Sequence, residues 1–248
     1  MAAECGGRPD VCVGTCGFAE AQARTWADFD LVEIQRTFYE PPRRATAERW
    51  RASAPPGFRF TLKAWQLLTH EPRSPTYRRL RTPLAPHERP LAGGLRWNEL
   101  TARAWRRTVA IAEALDAEAI VFQMPPSFRP TAENLARMRR FFGAIERGPW
   151  RLVFEPRGPD WDDALLAPLL AELDLVHGTD PFLRPAVGGG LRYYRLHGRP
   201  AYHYGYRYSD ADLHRLRDWL APNLPNRVLF NNLHMAEDAR RFRALLRA

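Results

Sequence analysis

The chain of 248 residues has the length of a single α/β barrel, which commonly needs about 250 residues. Hydrophobic residues make up 45%, as in ordinary globular proteins, and no apolar run approaches the roughly 20 residues of a membrane span, so we expect no membrane partner. The formal charge of +9 favours an anionic partner, either a small molecule or nucleic acid. Met1–Asp10 lacks the apolar region of an export signal, which predicts a cytoplasmic protein.

The basic residues are nearly all arginines. Of the 37 lysines and arginines only Lys63 is a lysine, so 37 − 1 = 36 are arginines. Most of the arginines are scattered in pairs such as Arg43–Arg44 and Arg139–Arg140, a pattern that is typical of solvated surfaces. Lys63 is therefore the informative basic residue.

Short apolar segments alternate with helical patterns along the chain. The eight segments are Val11–Cys16, Leu31–Thr37, Arg59–Lys63, Ala119–Met124, Arg151–Glu155, Leu173–His177, Leu191–His197 and Arg227–Asn231. Strands that alternate with helices pair in parallel, and eight of them without a dinucleotide-type glycine fingerprint predict one closed (β/α)8 barrel of the TIM type over residues 1–248. A doubly wound open sheet is the alternative.

The helices have recognisable starts. Thr131 precedes an amphipathic pattern, and Ser209 with Asp212 resembles a capping box. Ala19–Asp30 has room for barely two turns, which predicts a reduced first helix. Ala236–Arg247 is predicted to be the final helix.

The connection after the third strand is unusually long. Ala64–Arg96 contains five prolines and Gly93–Gly94 before a helix predicted from about Trp97 to Leu115. A loop that follows a barrel strand lies over the C-terminal face, so residues 64–96 form either a lid or a plain ordered insertion.

Polar residues recur at the C-terminal ends of the predicted strands, and they alternate with apolar residues so that they all lie on the same face of their strands. A parallel barrel strand turns one face to the helices and the other inward, so these side chains are expected to meet at the barrel mouth. The set is Glu33, Lys63, Gln123, Glu155, Arg157, Arg195, His197 and Asn231. The alternative is that they form a salt-bridged structural network that fixes the barrel.

The stretch Leu191–Tyr208 has the composition of a functional site. Arg195 and His197 share one face of its strand, and after Gly198 a tyrosine stands at every second position from Tyr202 to Tyr208. The alternative is a tyrosine-rich strand end that only packs.

The three cysteines, Cys5, Cys12 and Cys16, do not suggest a disulfide framework, because their number is odd and the context is intracellular. Cys12 and Cys16 share a face of the first strand, where small apolar residues fit. We predict that they pack, with a nucleophilic Cys16 as the alternative.

Motifs along nearly the whole chain resemble the YecE-like family, domain of unknown function 72. They are V-G-T-C-G-F at 13–18, V-E-I-Q-R-T-F-Y at 32–39, G-F-R-F-T-L-K at 57–63 followed by Thr69–His70, F-Q-M-P-P-S-F at 122–128, E-P-R-G-P-D-W at 155–161, R-L-H-G-R at 195–199 with Tyr202 and Tyr204–Gly205, and F-N-N at 230–232. The resemblance implies a TIM barrel without an established reaction. A suggested likeness of the family to endonuclease IV implies a nucleic-acid ligand.

The chain departs from the family pattern at two motifs. Cys16 and Phe18 stand where the family usually has Ser and another aromatic residue, and Gly158 stands where it usually has His. A trinuclear zinc centre needs many ligands, and only His70, His197 and His203 are available to join Glu33, Glu155 and Asp180. We therefore predict no metal and no other cofactor.

Two functions are compatible with these residues. The first is an enzyme, a hydrolase or lyase, in which Arg157 and Arg195 hold an anionic or phosphate-bearing substrate. His197 would be the acid or base, Glu33 or Glu155 its partner carboxylate, and Lys63 an electrophilic cation or a Schiff-base amine. Further substrate contacts are predicted from Gln123, Asn231, Asn232, Tyr202, Tyr204, His70 and Asp180. The second is a non-catalytic nucleic-acid-binding protein that stacks bases on the tyrosines.

Overall fold

The computed structural model describes residues 10–247. Cys5 and the N-terminal stretch on which the localisation prediction rests lie outside the described residues, apart from Asp10. Within the described residues, no helix has the length and apolar character that crossing a membrane requires.

Eight parallel strands close into a barrel in sequence order, from β1 round to β8 and back to β1. This confirms the TIM-type (β/α)8 prediction and excludes the open sheet. The strands are β1 (Val11–Cys16), β2 (Leu31–Ile34), β3 (Arg59–Lys63), β4 (Ala119–Gln123), β5 (Arg151–Glu155), β6 (Val176–Thr179), β7 (Arg192–Leu196) and β8 (Asn226–Phe230).

Two strand predictions were wrong in their bounds. β2 ends at Ile34, before the predicted Thr37, because the chain turns at once into a helix whose Thr37 hydroxyl lies 2.8 Å from the carbonyl oxygen of Ile34 and 2.7 Å from that of Lys63. β6 spans Val176–Thr179 and not Leu173–His177, because the preceding helix ends at Glu172 with Leu173 as its C-cap and Asp174 adopts a left-handed conformation (φ 47°). The apolar Leu173 belongs to the helix end.

The helices follow the strands as expected, with a first helix of only seven residues. The predicted caps are present, since Thr131 accepts a hydrogen bond from the Asn134 N–H and Ser209 forms a capping box with Asp212. The helices are α1 (Gln22–Asp28), α2 (Arg36–Tyr39), α3 (Arg44–Ser53), α4 (Gln66–Thr69), α5 (Glu99–Leu115), α6 (Ala132–Ala144), α7 (Asp163–Glu172), α8 (Asp210–Asp218) and α9 (Met235–Leu245).

The long connection after β3 is an ordered insertion. It contains α4 and two short 3-10 helices, Pro75–Arg79 and Arg89–Leu91. Its end returns to its beginning, because the N–H groups of Gly93 and Leu95 donate to the carbonyl groups of Leu67 and Leu68 at 2.8 and 2.9 Å. These bonds fix the insertion at both ends.

The barrel interior is a separate packed layer, distinct from the apolar layers between strands and helices. Cys12, Cys16 and Tyr193 lie in it with aliphatic residues from the other strands. Burial, followed by the charge of Glu33, raises the pKa of Cys16 well above its usual value, so the thiol stays protonated and packs. The polar residues of the strand ends lie above this layer.

Candidate active site at the barrel mouth

Arg195 is the centre of a buried ionic network. It lies near the end of β7 and is fully buried, and its guanidinium pairs with two carboxylates. Glu33 from β2 accepts from Nε at 3.0 Å and from Nη2 at 2.8 Å, and Glu155 from β5 accepts from Nη1. The network therefore joins three strands of the barrel.

Both carboxylate oxygens of Glu33 accept hydrogen bonds within the network. Oε2 also accepts from the Tyr193 hydroxyl at 2.9 Å, and Oε1 also accepts from the Gln35 amide. The Tyr193 hydroxyl lies 2.7 Å from Oγ1 of Thr61, which completes the base of the network. Glu33 is thus a positioning residue for Arg195.

Glu155 occupies the place predicted for a substrate anion. Its carboxylate bridges Arg195 and Arg157, with 2.6 Å between Oε1 and Nη2 of Arg157. Burial alone would raise the pKa of Glu155, but Arg157 and Arg195 lower it to about 2. At neutral pH it is a stable carboxylate and a weak base, so both arginines are already neutralised by the protein.

Lys63 differs from the arginines of the site. Its ammonium lies at the end of β3 with Nζ 2.8 Å from Oε1 of Gln123 and 4.0 Å from the centre of the Phe38 ring. Among residues 10–247 no carboxylate lies within 4.0 Å of it. Burial, followed by the charge of Arg195, lowers the pKa of Lys63 to about 7. About half of the amine is therefore neutral at pH 7.

His197 follows β7 and is held between Arg157 and Asp180. Nη2 of Arg157 lies 2.9 Å from Nε2 of His197, which fixes that nitrogen as the acceptor. Nδ1 lies 3.7 Å from the Asp180 carboxylate and has no hydrogen-bond partner among the described residues. Asp180 accepts from the His197 backbone N–H at 2.8 Å. Burial lowers the pKa of His197, so the ring is neutral at pH 7.

Two tyrosines cover this part of the mouth. The Arg157 guanidinium lies 4.2 Å from the centre of the Tyr202 ring, and the His197 ring lies 5.4 Å from Tyr202 and 6.2 Å from Tyr204. Tyr202 and Tyr204 are 41% and 46% exposed, whereas Tyr208 is buried. The predicted tyrosine ladder thus offers two accessible rings.

His70 packs against Phe38. The centres of the two rings lie 4.8 Å apart with the rings nearly perpendicular, and Nδ1 lies 2.8 Å from the Thr69 hydroxyl. Burial, with Lys63 and Arg157, lowers the pKa of His70 to about 3, so it is neutral. His70 and Lys63 therefore border the same aromatic ring.

The two asparagines after β8 make different contacts. The half-buried Asn231 donates its backbone N–H to Leu196 at 2.8 Å. The Asn232 amide donates to Tyr206 and Asp238, both at 2.7 Å, so its side chain holds a loop and lies outside the ionic network.

Several residues of the site were not selected from the sequence. Tyr193 and Thr61 each lie two residues before Arg195 and Lys63, on the same face of the strand, so the alternation could have selected them. Gln35 likewise shares the parity of Glu33, whereas Phe38 carries no such signal, because its position depends on the turn into α2.

The described residues contain no group of three or more His, Cys, Asp or Glu side chains placed to hold a metal ion. The geometry defines a TIM-type barrel with a buried ionic network at its C-terminal mouth and an amine beside it. This chain belongs to the family described as "Protein of unknown function DUF72", which matches residues 20–248. No curated protein sequence matches it.

Solved structures support the fold. A DUF72 family protein from Enterococcus faecalis V583 is 17% identical, with coverage of 98% of this chain and 99% of the other and a TM-score of 0.76. Another from Thermotoga maritima MSB8 is 20% identical, with coverage of 96% and 99% and a TM-score of 0.69. A D-psicose 3-epimerase structure is 14% identical, with coverage of 94% and 93% and a TM-score of 0.58.

Proposed function

We propose that this protein is an enzyme of the lyase type, which acts on a small anionic carbonyl compound at the barrel mouth with the Lys63 amine as nucleophile. One observation carries the proposal: a buried lysine at a strand end has no carboxylate within 4.0 Å among the described residues and a pKa of about 7. A lysine with an ordinary pKa near 10.4 is almost wholly protonated at pH 7 and unreactive.

The chemistry follows from the lone pair on Nζ. The neutral amine adds to the carbonyl carbon, and after protonation the carbonyl oxygen leaves as water, which gives a protonated imine. The Cα–Cβ bond then breaks, its electron pair forms an enamine with the imine, and the β carbon leaves as an aldehyde after its hydroxyl loses a proton. Protonation of the enamine and hydrolysis of the resulting imine release the second product and restore the Lys63 amine. Gln123 orients Nζ through its amide oxygen at 2.8 Å. His197 supplies a hydrogen-bond donor to the substrate, since its Nε2 accepts from Arg157 and its proton is therefore on Nδ1, which is buried without a partner among the described residues.

The carboxylates favour a lyase over a hydrolase. Glu33 is fully hydrogen-bonded, and the low pKa of Glu155 makes it a poor base for activating water. The overall positive charge favours an anionic substrate. The neighbouring D-psicose 3-epimerase was crystallised in the presence of a ketose, D-fructose, but at 14% identity that likeness extends to the fold alone.

The single lysine makes the test specific. The protein is incubated at pH 7 with pyruvate or glyoxylate and cyanoborohydride, which reduces imines, and the modified residue is identified by mass spectrometry. We expect an adduct on Lys63 that Lys63→Met removes, leaving only reaction at the N-terminal amine.

The matched control is Arg140→Lys, which adds an exposed amine on α6. We expect Lys63 to be trapped at least about tenfold faster than the amine at position 140, because roughly one in 2,500 ordinary lysines is neutral at pH 7. Trapping at position 140 or at the N-terminus without trapping at Lys63 would contradict the proposal.

A non-catalytic nucleic-acid-binding function is the second candidate. Two exposed tyrosine rings lie at the mouth, Tyr202 against Arg157 and Tyr204 near His197, as in surfaces that stack unpaired bases. Under this alternative the protein binds single-stranded oligonucleotides and the rings supply the affinity.

A further inference from the structure

A second basic site lies on the rim of the barrel, beyond the mouth. A cavity of about 360 Å³ is lined by four arginines, Arg36, Arg43, Arg81 and Arg107, together with Glu40, Pro41, Pro42 and Thr46. The liquid volume of one water is about 30 Å³, so the space equals roughly 12 waters and accommodates a phosphate group. Glu40 is the one acidic residue in this lining.

Both carboxylate oxygens of Glu40 already have partners within the protein. One Glu40 oxygen accepts from the backbone N–H of Arg81 at 2.7 Å, and the other lies 3.7 Å from Nη2 of Arg107. Nη2 of Arg107 also donates to the Pro41 carbonyl at 2.9 Å, and its guanidinium lies 5.1 Å from the Trp65 ring centre. Arg107 is thus held in place facing the cavity.

The other three arginines lack such partners. Among residues 10–247, no carboxylate lies within 4.0 Å of the guanidinium of Arg36, Arg43 or Arg81. Some surface arginines elsewhere have an acidic partner, as Arg139 has Glu172 at 2.7 Å. Like charges that converge on one cavity repel each other, so the arrangement favours an anion between them.

The start of α3 reinforces the preference for an anion. This ten-residue helix begins at Arg44, with Arg43 as an N-cap whose side chain makes no capping bond and with no acidic residue in its first turn. The N-terminus of a helix carries partial positive charge and unsatisfied N–H groups, which anions complement. Arg43 and Thr46, from this start, both line the cavity.

We propose that the cavity formed by Arg36, Arg43, Arg81 and Arg107 is a binding site for a phosphate group. Guanidinium groups bind phosphate in a bidentate manner, and a phosphate monoester carries close to two negative charges at pH 7. This site lies outside the ionic network of the mouth, and the inference is independent of imine formation at Lys63.

The test is calorimetric titration of the intact protein with inorganic phosphate and with glucose 6-phosphate at fixed ionic strength. We expect saturable binding with one site per chain, weakened at least tenfold in the Arg36→Gln, Arg81→Gln double variant. Tighter binding of glucose 6-phosphate would identify the ligand as a phosphate monoester, and equal binding would identify the phosphate group alone.

The matched control is the Arg140→Gln, Arg215→Gln double variant, which loses the same charge from exposed positions on α6 and α8. It and Lys63→Met should bind as the wild type does. The proposal would be overturned if the wild type showed no saturable binding, or if the control variant lost as much affinity as the Arg36→Gln, Arg81→Gln variant. It would also be overturned if Lys63→Met lost phosphate binding while the Arg36→Gln, Arg81→Gln variant kept it. Melting temperatures verify that every variant is folded.

Discussion

At the scale of single residues, the ionic network and the lysine beside it have opposite properties. Arg195 and Glu155 neutralise each other in a fully buried pair, whereas Lys63 has an amide and an aromatic ring for neighbours. A buried ionisable group that is paired with an opposite charge stays ionised, whereas a group that is buried without a counter-ion favours its neutral form. The network therefore joins β2, β5 and β7 of the barrel, and our proposal takes the lysine as the reactive group.

Glu155→Gln tests the structural role of the network. Removing one partner of a buried ion pair costs about 3–5 kcal/mol, and for a chain of this size that is a fall in Tm of roughly 6–20 °C. The pKa of Glu155 is about 2 in the folded protein and 4.5 ordinarily, so its stabilisation is complete above about pH 4.5 and is lost as pH falls towards 2.

Melting curves at pH 7 and pH 3 provide the measurement. We expect the difference in Tm between the wild type and Glu155→Gln to be smaller at pH 3. Glu172→Gln, which breaks an exposed pair with Arg139, is the control and should melt like the wild type. A Glu155→Gln variant that is as stable as the wild type at pH 7 would contradict the structural role.

The parity of polar strand ends predicted many of the residues that meet at the mouth, including Lys63 and His197. It was not sufficient to predict partners. The enzyme hypothesis expected Glu155 and Arg157 to act separately on a substrate, and the alternative expected a salt-bridged network. The distance of 2.6 Å between the two side chains depends on side-chain conformations that the alternation does not specify. The same holds for Asn232, whose amide donates to the Tyr206 carbonyl in the loop before α8 and to Asp238 in α9.

At the scale of elements, the alternation of polar and apolar residues predicted where the strands lie more accurately than where each strand begins and ends. Six of the eight segments matched a strand within one residue at each end, as Arg59–Lys63 did. β2 was predicted too long because Thr37 and Phe38 have strand propensity, but their side chains pack as part of α2 against β3 and Lys63. Tertiary contacts decided that boundary.

Gly93→Ala tests whether the insertion after β3 is fixed. Gly93 has φ +75°, and a Cβ there would lie 2.0 Å from the His70 carbonyl oxygen. The left-handed conformation alone costs about 1–2 kcal/mol for a residue with a Cβ, so we expect Tm to fall by roughly 4 °C or more.

Gly143→Ala is the matched control for that substitution. Gly143 lies in α6 with nothing within 4 Å of an added Cβ, so alanine there should keep or raise Tm. If Gly93→Ala melted no lower than the wild type, the insertion would not be held as the hydrogen bonds of Gly93 and Leu95 indicate.

At the scale of the whole molecule, the charge of +9 predicts weak binding of nucleic acid. We expect a single-stranded oligonucleotide to bind with Kd of about 10⁻⁴–10⁻⁶ M near physiological salt and at least about tenfold more weakly at 200 mM than at 50 mM salt. Fluorescence anisotropy measures both, and Tyr202→Ala with Tyr204→Ala should change little. Tight binding that resists salt and is lost in this double variant would support the nucleic-acid-binding alternative.

The central claim is that Lys63 is an amine of lowered pKa, and the single lysine allows a direct measurement. Protein labelled with ¹⁵N in lysine alone gives one side-chain signal, whose chemical shift is followed by NMR from pH 5 to pH 11. We predict a midpoint near pH 7, as burial and Arg195 require, and an ordinary midpoint for the added lysine of Arg140→Lys. A Lys63 midpoint near 10.5 would contradict the account.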